Sequence, residues 1–340
     1  MKNKLLNLAF VSFLLGNIGC STQEKKEDKI MMDKSKEINL NIPVVRLEQE
    51  IFKDKSKVGI QQFLKNHPAF NKKYFGKFFP NDDVTVAELY KGINNPSVDT
   101  LYQNTQEVFG DMSDLKLQFE EASKRIMAVY PKHKPQQLNT FISGMGFWGG
   151  DMYVDDSLVV ISLDFFLGKA SKYEPNLPLY ILKRYRKEYI IPYIVTLIGN
   201  KYSKTDFLDN SLVAEMIYYG KVYYFLEQVM PEIHDTILTG YTKVELEEVE
   251  SHQDVIWSHF IEKKVLFETK HEITNKYVGE RPNTTEIGNK CPGRIGRWLG
   301  WQIVKRYIEQ NSKANLVDLM NEKDAKKIFN ESKYKPLLKK

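Results

Sequence analysis

Cysteine is almost absent: the 340 residues include only Cys20 and Cys291. Lipidation of the first, read below from its surroundings, leaves the second without an intramolecular partner, and a disulfide framework is excluded. Stability must come from an apolar core, which 42% hydrophobic residues can supply as one large or two modest domains. Metal ligands are scarce too. Histidines stand at 67, 133, 234, 252, 259 and 271. His252 and His259 lie two helical turns apart, and His271-Glu272 opens like HExxH but has Asn275 where the second histidine belongs. No GxSxG elbow occurs, and the glycine-rich stretch 144–150 lacks the GK[ST] of a phosphate loop. No cofactor is expected. Past the leader, no apolar run reaches the roughly 18 residues of a membrane span. The net charge of +5, from 49 basic and 44 acidic residues, is small for the length and gives no footprint of a nucleic-acid partner.

What is present begins with a targeting pattern. Lys2 and Lys4 precede an apolar run at residues 5–15, too short to span a bilayer permanently, and Gly19-Cys20 follows it. A small residue before a cysteine at this point marks residues 1–19 as a lipoprotein signal peptide and Cys20 as the lipidated new terminus. An ordinary signal peptide containing a cysteine is the plainer alternative. Half of residues 21–40 are charged, five acidic and five basic, so residues 20–40 read as the lipidated cysteine and a flexible tether. Residues 41–340 read as a single globular domain.

From residue 44 to 130 the apolar spacing is helical, with an aromatic cluster at Tyr74, Phe75, Phe78 and Phe79 that reads as core packing or, alternatively, a hydrophobic groove. Strand patterns follow at residues 138–143, 152–154 and 158–163, with Asp155-Asp156 as a hairpin turn. The fold class is therefore α+β and predominantly helical, with a small twisted sheet of antiparallel type against many helices. A helix from about Pro178 to Ile198 carries a cationic middle and a kink at Pro192. Residues 212–230 form a second, nearly apolar helix in which Glu215 and Lys221 are the odd residues. A charge in such a helix is rarely buried unless paired. Two polar helices occupy residues 244–267.

Residues 279–308 form the stretch around which the rest is organised. In its helix Gly293, Gly296, Gly300 and Val304 share one face. Each helical glycine costs roughly 1 kcal/mol against alanine, so close approach of another backbone is expected there. Arg294, Arg297, Trp301 and Lys305 share another face, which is either the solvated side of a packed helix or one wall of a cleft.

The blocks GGDMYVDDSLVVISLDFFLG (149–168), RYRKEYIIPYIV (184–195), SLVAEMIYYGKVYYFLEQVMP (211–231) and ERPNTTEIGNKCPGRIGRWLGWQIVKRY (280–307), after a lipobox and tether, resemble the gliding motility lipoprotein GldB family of gliding bacteria. The resemblance implies a lipid-anchored envelope protein facing the periplasm and required for gliding, which is tied to type IX secretion. Its partners would be other envelope proteins of that apparatus. A fainter likeness to gluzincin-type HExxH zinc peptidases implies a zincin-like fold without a metal site: Arg186 and Glu188 occupy the region of the missing motif, and Glu215 matches the third-ligand position. The candidate partner-binding cleft lies between residues 177–198, 212–230 and 281–301, with Arg186, Glu188, Glu215, Lys221, Arg281, Asn283, Arg294, Arg297 and Trp298. Arg186, Glu215, Arg281 and Arg294 form either a binding cluster at its mouth or a salt-bridge network between helices. The other readings are a degenerate zincin-like hydrolase and a solute- or glycan-binding lipoprotein with Trp148, Trp298 and Trp301 as stacking surfaces.

Overall fold

The computed structural model describes residues 30–336. The leader and Cys20 lie outside the described residues. A helical turn occupies residues 30–36, burying Met31 and Ser35, so the segment read as a tether contains structure where Met31 interrupts its charges.

Val44–Arg46 follows as a strand, β1, where the pattern predicts helix. Its β-branched pair lies parallel to β2 (Leu138–Phe141), with Val44 opposite Leu138. Three residues are too few to show a period, and the partner that makes them a strand is far along the chain. Between them run α1 (Leu47–Ile51), α2 (Lys57–Asn66), α3 (Pro68–Lys73), α4 (Asp82–Ile93), α5 (Pro96–Phe109) and α6 (Ser113–Val129). Ser56, Asn81 and Asn95 cap α2, α4 and α5 by accepting from free N–H groups of the first turn, as polar N-cap residues do.

β3 (Met152–Val154) and β4 (Val159–Ser162) form the expected hairpin over Asp155-Asp156. The strand order is β1-β2-β4-β3, with β1, β2 and β4 parallel and only β3 antiparallel. The sheet is thus mixed and not of antiparallel type. The hairpin is the only pairing local enough to read from sequence, since parallel strands need long crossovers. The α+β, predominantly helical class stands. β4 splits the interior by its period of two: Val159 and Ile161 face a large helical core, while Val160 faces a smaller one. Phe63, Phe70, Tyr74, Phe75 and Trp148 fill the smaller core, with Phe70 and Tyr74 stacked 5.1 Å apart. Of the expected cluster Tyr74 and Phe75 are core packing, Phe79 packs against them partly buried, and Phe78 is exposed.

The second half runs α7 (Leu179–Leu182), α8 (Ile190–Tyr202), α9 (Leu212–Val229), α10 (Asp235–Thr239), α11 (Lys243–Ser251), α12 (Gln253–Glu262), α13 (His271–Val278), α14 (Ile295–Gln310), α15 (Leu316–Asn321) and α16 (Ala325–Ser332). The single helix expected over residues 178–198 is broken in two. Arg186 is extended, with φ −140° and ψ 158°, and forms an isolated bridge with Leu167. Pro192 therefore falls in the first turn of α8, where its missing N–H removes no intrahelical bond and makes no kink.

The glycine face does meet another backbone. A Cβ on Gly300 would lie 1.9 Å from the Met216 carbonyl oxygen of α9, and one on Gly220 would lie 2.3 Å from the Gly300 oxygen. Gly296 faces Val278 and Tyr277 as well as Met216. Gly293 lies outside the helix, which starts at Ile295 after a left-handed Arg294 with φ 64°, and its Cα abuts the Arg281 carbonyl instead.

Candidate functional site

Breaking the helix at Arg186 opens a space. A cavity of about 600 Å³ lies between residues 164–169 after β4, the stretch from Leu179 to Tyr189, and residues 234–243. Its walls are mainly apolar and aromatic, from Leu167, Leu179, Leu182, Tyr185, Tyr189 and Tyr241. Cations stand around them. Lys183 is held by Glu245 at 2.6 Å, and Arg186 pairs with Glu188 at 3.2 Å, both side chains half-exposed, while lying over the Tyr189 ring. Lys169 is exposed and, among the described residues, has no ion pair. Asp164 also borders the cavity, but its carboxylate is turned to the glycine-rich turn, accepting from Ser143 N at 3.0 Å and Met145 N at 2.6 Å. Its complete burial raises its pKa against the lowering by those donors.

The back of the cavity is fixed by an arginine cluster. Gly240, at the C-terminus of α10, adopts φ 68°, and a Cβ there would meet Arg184 Cδ at 2.6 Å and an Arg294 terminal nitrogen at 3.0 Å. Only glycine fits both demands. Behind it, three guanidinium groups share the Glu280 carboxylate. Arg184 binds in two-pronged fashion at 2.7 and 3.2 Å, with Arg297 at 3.4 Å and Arg294 at 3.6 Å. Arg184 and Arg294 are buried. Burial alone would raise the Glu280 pKa, but Arg294, Arg184 and Arg297 outweigh it and hold the carboxyl below its usual range. Arg297 also donates to the Val278 carbonyl at 2.6 Å and lies 4.2 Å over the Tyr219 ring of α9. Tyr241 donates to the Gly293 carbonyl at 2.9 Å beneath Arg294. The cluster ties the end of α7, the end of α13 and the start of α14 into one frame.

The expected four-residue cluster does not assemble. Of its members only Arg294 is on Glu280, joined by Arg297 from the wider cleft; the carboxylate is Glu280 and not Glu215, and the arginine from the first segment is Arg184 and not Arg186. Arg281 turns to Glu286 at 3.0 Å and the Lys276 carbonyl. Glu215 borders a separate hollow beside Lys221, Lys204 and Tyr219 and, among the described residues, has no ion pair. Lys221 is buried and donates to the carbonyls of Lys204 at 2.7 Å, Glu322 at 2.8 Å and Met320 at 3.2 Å. Burial pulls its pKa down to about 8, and its place is a fastening for α15. Asn283 forms an isolated bridge with Pro292. Trp298, Trp148 and Trp301 are each 1% exposed, so none is a stacking surface for a glycan, and Trp301 spends its N–H on Glu227. On the Arg294–Lys305 face Arg294 and Trp301 are buried and Arg297 is mostly covered, and only Lys305, at the far end beside Glu227, is about a third exposed.

Arg184, Glu280, Gly240 and Tyr241 escaped the sequence reading. The cationic run at 183–187 flagged the right region, but with a continuous helix assumed it could not separate Arg184 from Arg186. Among the described residues no three His, Cys, Asp or Glu side chains gather so as to hold a metal ion.

These features define a class: a helical α+β protein with a small mixed sheet and an apolar, cation-rimmed cavity braced by buried arginines. The family model of the gliding motility protein GldB matches residues 27–336, and the chain belongs to that family. It is therefore a gliding motility protein. No curated protein and no solved structure matches it, and the likeness to zinc peptidases finds no support.

Proposed function

We propose that this gliding motility protein is a lipid-anchored envelope protein that acts by binding a segment of a partner protein in the gliding and type IX secretion apparatus, without catalysis. The leader pattern ending in Cys20 supports the anchor. One observation carries the binding site: the cavity's apolar wall continues outward as Leu179, 82% exposed, at the edge of a frame that the arginine cluster holds rigid. Val244, on α11 beside the cavity-lining Lys243, is 67% exposed. Large apolar side chains left outside a preformed hollow are what a docking segment covers. Tyrosine-rich walls suit it, giving area and a polar tip at low entropy cost.

Leu179→Asp tests this, since an exposed position tolerates the change. Gliding should be lost at normal protein level and melting temperature, together with the crosslinks that a photoreactive residue at position 244 makes in intact cells. Normal gliding in this variant would remove the cavity from the function.

A further inference from the structure

The cavity's lining carries four cations against two carboxylates, of which Glu174 is exposed and, among the described residues, without an ion pair, and that excess of cations narrows its occupant. The groups bordering it include Lys169, Lys183, Arg186 and Lys243 against Asp164 and Glu174. Asp164 is spent on backbone N–H groups and faces away, while Lys183 is spent on Glu245. Lys169 then stands without an ion pair among the described residues, Lys243 has Glu247 only at 3.8 Å with both side chains mainly exposed, and Arg186 has only its half-exposed neighbour Glu188. Behind Gly240 the Arg184, Arg294 and Arg297 cations outnumber Glu280. A hollow walled by Leu167, Leu179, Leu182 and tyrosine rings, with unspent cations at its mouth, is complementary to apolar side chains flanked by carboxylates. Leu179 on the wall and Val244 beside Lys243 leave exposed apolar surface at and beyond the rim of the 600 Å³ cavity, which a polypeptide covers and a small molecule enclosed in the hollow does not.

Resting on the docking site proposed above, we infer that the cavity selects an acidic–apolar peptide segment, burying its apolar side chains between α7 and Tyr241 and setting its carboxylates against Lys169 and Arg186. Specificity comes from the cations at the rim. The burial comes from the walls.

The probes are end-blocked hexapeptides with alternating leucine and glutamate, the same peptides with glutamine or lysine for glutamate, and dodecanoate as an acyl carboxylate, titrated calorimetrically into the whole folded chain. The glutamate peptide should bind up to about fivefold more tightly than the glutamine peptide for each ion pair made, and the lysine peptide weakest. Added salt should shrink that gap. Lys169→Glu should erase most of it and leave the melting temperature unchanged, and Leu179→Asp should weaken both peptides, the glutamate peptide more because the new carboxylate repels it. Equal binding of glutamate and glutamine peptides overturns the acidic preference, while a loss of that binding in Leu179→Asp keeps the docking site. Binding of dodecanoate with no peptide bound overturns the peptide assignment in favour of a lipid ligand. Peptide binding unaffected by Leu179→Asp overturns the site itself.

Discussion

Glu280 is one carboxylate serving three guanidinium groups, so its removal leaves like charges facing one another behind Gly240. Taking one partner from a buried ion pair costs several kcal/mol, and because Glu280 is about a third exposed water offsets part of this. Glu280→Gln should therefore destabilise the chain by about 2 kcal/mol, measured by urea unfolding, and the deficit should narrow in high salt as the residual repulsion is screened. The pH dependence has a definite sign. A carboxyl held below its ordinary value of 4.5 contributes stability that is complete above that pH and is lost as pH falls through the folded-state value. The wild-type chain should show this loss in acid and the glutamine variant should lack that component. Equal stability of the two proteins at pH 7 would show the cluster to be ornamental. At this scale the sequence named two of the four members. It offered a cationic run and a lone glutamate, but partner choice depends on where each helix ends, and α7 stops at Leu182, so that Arg184 reaches Glu280 and the extended Arg186 does not.

The packing of α9 against α14 depends on atoms that are missing. Gly300→Ala would drive a methyl into the Met216 carbonyl region, and overpacking of this kind costs about 1–3 kcal/mol. The gain of roughly 1 kcal/mol in helix propensity offsets part of it. Because the clash is with backbone the upper end of that cost applies and a net fall of about 2 kcal/mol is expected, while Gly288→Ala, with nothing within 4 Å, should be silent. A Gly300→Ala protein that melts with the wild type would mean the helices can part without cost. This seam was legible because glycines at helical spacing have few other uses. Less legible were elements made by distant partners. β1 is a strand only because β2 lies beside it, and α7 stops because Arg186 bridges Leu167. The cationic stripe misled for a related reason: α14 is covered on nearly every side, with Trp298, Leu299, Trp301, Ile303 and Val304 all buried. What solvent reaches most lies toward its C-terminal end, at Arg306, Glu309 and Gln310.

The whole molecule has two interiors divided by one small sheet, the smaller built from α1–α5 and one face of the strands. Cooperative units tend to follow such divisions. Native-state hydrogen exchange should find α2 to α4 opening together at lower free energy than α8, α9 and α14, and a single opening energy for all amides would contradict that. The family was readable at this scale because four long blocks keep their order, whereas the division of the core depends on β4 alternation that only the paired sheet displays. Both outer strands of that sheet, β1 and β3, are three residues long. An open sheet edge invites neighbouring chains to add strands, and very short edges blunt that hazard. Crowded copies of this protein would thus find little backbone template on one another, a safeguard against fibrous aggregation built into the sheet's narrow rims.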